Sequence, residues 1–252
     1  MNDADVDALA ETPLQYRPLV VFDFDHTLYN GDSGAHFVSW LIKRSAWRKA
    51  AALLAAPVLL PLVAWMPTRR RGISGFLWLG TVGADRDIER LVDHYVQANA
   101  ASIRARLLAP ALAVLHRHHS DGDRMLIATG APPELARAIL DLVAHDDLPV
   151  IGSIGERFLG GYVTAQHCHG ANKMRMIRDR GYDQVEIAYS DSVADLPLLL
   201  AARHPVVVNP KPGRVALFRR VLPPGTPILN WGCGSRGGQS QSILTKRKES
   251  SL

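Results

Sequence analysis

The sequence predicts an α/β protein, a doubly wound parallel sheet with an inserted helical cap, and three observations support that reading. A short apolar strand, a polar turn and a helical pattern follow one another around residues 124–143 and 185–202, and residues 18–24 supply a similar strand that runs into a polar turn. Repeated alternation of this kind builds parallel strands joined by crossover helices. Between the first two strands, residues 37–119 carry helical patterns without strand signals, as an insert would. The chain of 252 residues is 47% hydrophobic and 21% charged, which suits one ordered core with a modest insert and excludes extensive disorder.

Taken in order, residues 1–17 form a polar lead expected to be flexible. Neither a basic nor an apolar signal region stands in its first thirteen residues, so no secretory signal is expected and the catalytic part is placed in the cytoplasm. Residues 18–24 are a strand that runs directly into Asp23, Asp25 and Thr27. Residues 37–119 are the helical cap. Residues 124–129 make the second strand, which leads into Thr129-Gly130 and then Pro132-Pro133, a helix start followed by helical spacing over 134–143. Gly160-Gly161 at the centre of residues 158–164 suggests a hairpin. Residues 185–189 form a third strand ending in Ser190-Asp191-Ser192, before a helix over 196–202 and a short strand at 205–208. The core thus comprises residues 18–36 and 120–228. Residues 229–252, rich in Gly, Ser, Gln, Lys and Arg from Trp231 onward, are expected to be a flexible tail.

Ligands of such sheets bind beyond the carboxyl ends of the strands, so the polar residues of the three units should converge. The formal charge of +5 favours anionic partners. Cys168 and Cys233 stand far apart and in no CxxC pair, which points away from a disulfide framework or a zinc ribbon. A carboxylate that attacks an anionic phosphate ester needs a divalent cation beside it, and Asp23, Asp25 and Asp191 can supply that arrangement. Asp23 would attack phosphorus. Asp25 would protonate the leaving oxygen and then activate water. Thr129 offers a hydroxyl and nearby N–H groups to the phosphoryl oxygens, and Lys173 offers positive charge. Asp191 would complete the metal site, supported by Asp195.

The runs Asp23-Phe24-Asp25-His26-Thr27-Leu28, Thr129, Lys173 and Ser190-Asp191-Ser192-Val193-Ala194-Asp195 resemble the four motifs of the haloacid dehalogenase superfamily, over about residues 18–210. That resemblance implies a Rossmann-like core, a helical cap and a Mg²⁺-dependent phosphatase passing through an aspartyl-phosphate. It also implies that Asp23, Asp191 and the backbone carbonyl of Asp25 hold the metal. His26 and Ser190 depart from the pattern, each standing where glycine is common. A narrower similarity, to phosphatidylglycerophosphatase C and related subfamily IB phosphatases, runs through Leu126 to Pro132, Gly160 to Thr164, Cys168 to Lys173 and Tyr189 to Leu199. It implies phosphatidylglycerophosphate as the substrate and phosphatidylglycerol as the product. Related members act on soluble esters, so a phosphoserine-like or sugar phosphate is the alternative, and a non-catalytic membrane-bound binding module a third.

Residues 50–66 are an apolar run flanked by Arg44, Arg48 and Lys49 on one side and Arg69-Arg70-Arg71 on the other. As a straight helix the run would reach about 26 Å, short of the roughly 30 Å hydrocarbon core, and Pro57 and Pro61 would kink it. Basic residues on both flanks disagree with a single crossing, so a re-entrant or interfacial element at the cytoplasmic (inner) membrane is expected. The competing reading is a buried cap helix. Asp32 and Ser33 are equally suited to substrate contact and to a solvated loop. The histidines at 116, 118, 119, 167 and 169 are read as structural or surface groups, and no nucleic-acid partner is expected.

Overall fold

The computed structural model describes residues 18–84, 87–145 and 148–233. The expected lead, residues 1–17, and the tail beyond residue 233 lie outside them. The chain runs through β1 (Leu19–Asp23), α1 (Ser33–Lys43), α2 (Ala46–Ala64), α3 (Arg69–Thr81), α4 (Ile88–Arg104), α5 (Ala109–Ser120) and β2 (Arg124–Ala128). It continues with α6 (Pro133–Asp141), β3 (Val150–Ile151), β4 (Ile154–Phe158), β5 (Gly161–Gln166) and α7 (Ala171–Arg178). The last part holds β6 (Val185–Ser190), α8 (Leu196–Ala201), β7 (Ala202–Val208), α9 (Val215–Val221) and β8 (Ile228–Leu229).

Among the described residues, six strands form one sheet in the order β3-β2-β1-β6-β7-β8, every neighbouring pair parallel. The expected doubly wound α/β fold is therefore the observed one. Side chains alternate between the faces of a strand. Val20 and Phe22 accordingly enter the core that holds Phe37 and Leu41 of α1, Val92 and Tyr95 of α4, Leu115 of α5 and Leu135 of α6. Leu19 and Val21 enter the opposite core with Ile177 of α7, Leu198 of α8 and Phe218 of α9. Burial on both faces explains why residues 19–22 read as an unbroken apolar run.

From β1 the chain passes to β2 and β3 on one side, and β6, β7 and β8 later fill the other. The winding therefore reverses between β1 and β6, and a crevice opens at their carboxyl ends. Asp23 closes β1 and Ser190 closes β6, so the ends of both strands supply polar groups to that crevice.

Three details differ from or add to the sequence expectations. First, α4 and α5 pack into the sheet core through Leu91, Val92, Ala111 and Leu115, so part of the expected cap flanks the sheet instead. Second, the hairpin of β4 and β5 leaves the sheet and lies on α3. Tyr162 N–H donates to Thr81 Oγ1 at 2.8 Å, Thr164 N–H to Ser74 Oγ at 3.0 Å, and Trp78 Nε1 to the Phe158 carbonyl at 3.0 Å. Its turn residues Leu159 and Gly160 both have positive φ, the backbone a tight right-twisted hairpin requires. Third, residues 229–231, expected in the tail, belong to the folded core. The Ile228–Leu229 strand extends the sheet, Trp231 N–H donates to Asn209 Oδ1 at 2.6 Å, and the Trp231 ring packs by Tyr189.

The helix Ala46–Ala64 is continuous through Pro57 and Pro61. Both prolines lie on its exposed side, where each removes one N–H donor from the helix ladder. At 19 residues it is about 28 Å long, and by length and composition it is the one helix among the described residues apolar enough to cross a membrane. Leu53 and Leu54 are 76% and 81% exposed, and Trp47, Val58, Leu60, Trp65 and Met66 are exposed as well. Its inner side meets α3 at Gly72 and Gly75. A Cβ on Gly72 would stand 2.7 Å from Val63 and one on Gly75 2.6 Å from Leu59, so these glycines set how closely the two helices approach.

Candidate active site

Asp23 is the last residue of β1 and is buried against Lys173, which α7 presents from its first turn. The Lys173 ammonium donates to Asp23 Oδ1 and to Asp195 Oδ2, each at 2.6 Å. Asp195 also accepts from Ser190 Oγ at 2.8 Å. Ser190, at a position where glycine was the expectation, thus orients the carboxylate that holds Lys173. Thr27 Oγ1 donates to Asp23 Oδ2 at 3.2 Å. Asp195 therefore acts on Lys173 directly, and it sits in a 3₁₀ turn, Val193–Asp195, rather than in a regular helix.

Asp25 lies just past the strand, and its Oδ1 accepts from the Ser33 N–H at 2.8 Å, at the start of α1. Asp32, left open between substrate contact and loop, caps that helix: its Oδ1 accepts from Ala35 N–H at 2.7 Å. His26 adopts φ +60, the left-handed region glycine prefers. Its N–H donates to the Tyr29 carbonyl at 2.7 Å, which folds the chain back between β1 and α1, and its carbonyl accepts from Asn209 Nδ2 at 2.8 Å.

Asp23, Asp25, Lys173, Asp191 and Asp195 all line one cavity of about 890 Å³. Thr129 differs. It is fully buried, its Oγ1 accepts from the Ala131 N–H at 3.0 Å, and its neighbours Gly130 and Ala131 form the cavity wall. The hydroxyl thus shapes the turn after β2 from within.

Burial dominates the electrostatics. It pushes Asp23 up to about 6; Lys173 opposes this and Asp195 adds to it. Asp25 is raised to about 7 by burial and by the charge of Asp32, which keeps a large share of it protonated near neutrality. Asp191 is raised to about 8 by burial and by Asp23 and Asp195. Burial also works against the Lys173 charge, but the carboxylates of Asp195 and Asp23 overcome it and hold the ammonium well above its ordinary range. Asp23 and Asp195 share Lys173, and Asp25 and Asp191 add two more acids to the same cavity, a crowding whose ionised form a bound cation would stabilise. Among the described residues no group of three or more acidic, His or Cys side chains gathers as a metal cluster. The Asp23 and Asp191 carboxylates, both on the cavity, are hard oxygen donors of the kind that suits Mg²⁺.

His167 and His169 also line the cavity, with their rings stacked 5.2 Å apart. His167 Nδ1 and Ser153 Oγ are 2.9 Å apart, and burial lowers His167 to about 4, so the ring is neutral. Their spacing of two residues places both on one side of extended chain just before α7, a signal present in the sequence. By contrast, His118 is structural, bridging Asp123 Oδ2 at 2.7 Å and Tyr189 Oη at 3.0 Å. Arg69, Lys211 and Arg214 also line the cavity, as Lys43 does, and these three make no ion pair with a carboxylate among the described residues.

The family model of haloacid dehalogenase-like hydrolases matches residues 20–200. A curated relative, the inhibition of morphological differentiation protein of Streptomyces azureus, is 32% identical over 130 residues, which cover 48% of this chain. The match spans 45% of that relative, less than half of its length. A protein of unknown function from Bordetella pertussis Tohama I superposes with a TM-score of 0.67 at 21% identity, over 85% of this chain and 99% of that one. Phosphoserine phosphatase carrying a phospho-aspartyl intermediate analogue superposes with a TM-score of 0.51 at 14% identity, over 86% and 94% of the two chains. At these identities the structural likeness is one of fold.

Proposed function

The chain belongs to the haloacid dehalogenase-like hydrolases, and from that membership we propose a Mg²⁺-dependent phosphomonoesterase that works through an aspartyl-phosphate on Asp23. The observation that carries this reading is the pairing of Asp23 with Lys173 at 2.6 Å where the winding of the sheet reverses, with Asp25 and Asp191 on the same cavity. Asp23 Oδ attacks phosphorus and the ester bond to the leaving oxygen breaks. Asp25 gives that oxygen its proton. Asp25, now a carboxylate, takes a proton from water, whose oxygen attacks the aspartyl-phosphate and releases inorganic phosphate with Asp23 restored. Lys173 keeps Asp23 oriented and offsets charge on the phosphoryl oxygens, while Asp195 and Ser190 fix Lys173. Asp23, Asp191 and the Asp25 carbonyl would hold Mg²⁺, which when bound lowers the repulsion between the carboxylate nucleophile and the anionic ester.

The substrate proposed is a lipid phosphate, with phosphatidylglycerophosphate as the specific candidate. The exposed apolar side of α2, between Arg44 and Lys49 and the run Arg69-Arg70-Arg71, supports a protein held at an anionic, cytoplasmic membrane face; Arg48, expected in the same flank, is instead buried and donates to the Val82 carbonyl at 2.9 Å. Leu60, Val63 and Met66 of the same segment line the cavity that holds Asp23, which favours a helix lying in the interface over one leaving the protein to cross the bilayer.

Phosphate release from phosphatidylglycerophosphate in detergent, measured beside phosphoserine and sugar phosphates, tests both levels. Activity should require Mg²⁺, vanish on chelation and vanish in Asp23→Asn. Full activity after chelation would sink the mechanism. A preference for phosphoserine or a sugar phosphate would retain it and remove the lipid.

A further inference from the structure

Beyond the acidic end, the cavity continues between α1, α2 and α3, where Val38, Ile42, Leu60, Val63, Ile73 and Phe76 line it. We propose that this apolar arm holds one alkyl chain of the substrate and acts as its gauge of chain length. The proposal deepens the phosphatase reading and rests on it for the position of the phosphate.

Three observations carry it. About 890 Å³ lies toward the upper end of small-molecule pockets, and a phosphoryl group with a compact polar leaving group has no use for walls of valine, isoleucine and phenylalanine. The acids are set apart from the apolar walls. Asp23 closes β1, Asp191 follows β6 and Lys173 stands on α7, while α1, α2 and α3 carry no acid on the cavity and supply most of its aliphatic and aromatic lining, with Ser39, Lys43 and Arg69 as their polar members, so a bound molecule should be amphiphilic and anionic. The arm also has an outlet of matching chemistry. Leu60 lines the cavity and is 58% exposed, on the helix whose outer side carries Leu53, Leu54 and Val58. A chain leaving the arm at Leu60 therefore meets apolar surface rather than a charged rim.

The occupant is the hydrocarbon of the same molecule whose phosphate reaches Asp23. Burying one methylene is worth about a four-fold change in an equilibrium constant, which sets the expected slope.

The test uses the full chain with Mg²⁺ and a series of n-alkyl phosphates from butyl to dodecyl, each kept monomeric. kcat/KM should rise about four-fold per methylene and then level off where the arm is filled. Ile73→Trp, which fills the arm, should lower the decyl-to-butyl ratio by at least about ten-fold, while Ile73→Ala, which leaves it open, should keep the rise. Binding of the matching alkyl phosphonates, followed by calorimetry, supplies a readout that needs no turnover. Steady turnover of butyl and decyl phosphate at equal kcat/KM, with flat phosphonate affinity, would overturn the arm and leave the phosphatase reading intact. A rising phosphonate affinity without turnover of any ester would do the reverse. If Ile73→Trp unfolds, the slope in the unaltered protein and in Ile73→Ala still decides.

Discussion

His26 occupies φ +60 in the turn that carries the chain from Asp23 and Asp25 toward α1. Left-handed backbone costs an L residue about 1–2 kcal/mol, and glycine escapes that cost. His26→Gly is therefore expected to be about 1 kcal/mol more stable than His26→Ala, read from paired urea unfolding curves. Equal stabilities would mean that the His26 backbone relaxes when the side chain is cut back. The acids and the lysine were legible in the sequence because each ends a strand or stands in the turn or first helical turn after one, and such places converge in a parallel sheet. Thr129 was legible as a position but not as a contact, since its hydroxyl turns back to the Ala131 N–H. His167 and His169 were read as structural because their place on the cavity depends on where the hairpin and α3 settle, and that packing leaves no local pattern.

At the scale of elements, the α2–α3 pair depends on Gly72 and Gly75. A Cβ at Gly72 would meet the Val63 backbone nitrogen at 2.7 Å and the Leu59 carbonyl at 2.9 Å, neither of which can rotate away. Gly72→Val should therefore push α2 off α3, with a loss of about 1–3 kcal/mol in thermal unfolding and faster hydrogen exchange along Ala46–Ala64. Unchanged exchange would show that α2 is held by other contacts. The existence of these helices could be read from composition and spacing. Their partners could not, because an apolar run states that it wants burial without stating against what. The same holds for the hairpin, whose Gly160-Gly161 signal was visible while its Leu159-Gly160 turn and its seat on Thr81, Ser74 and Trp78 were not.

For the molecule as a whole, the outward apolar side of α2 and its basic flanks define one expected behaviour. Full-length protein should co-sediment with vesicles containing anionic lipid, less well as salt rises, and hardly at all with neutral ones. Leu54→Glu should weaken that binding by about ten-fold or more, the worth of one buried leucine. Equal retention on neutral vesicles would remove the electrostatic part of the proposal. The parallel α/β class was readable from the alternation of strands and helices. The strand order was not, nor was the Ile228–Leu229 strand, because two residues carry too little pattern to register. That strand order governs how the chain folds. β1 is made early, yet its Leu19 pairs with Arg124 and its Val20 with Ile187, far downstream. Bringing such distant segments together is slow, because loop closure comes before any contact rewards it. During synthesis β1 must wait with its valines and phenylalanine unpaired until β2 and then β6 emerge. Lys173 stands 150 residues after Asp23 and Asp195 another 22 beyond it, so the ion pairs of the site cannot close before those residues are made, and a nascent chain halted before β6 exposes an unfinished sheet edge.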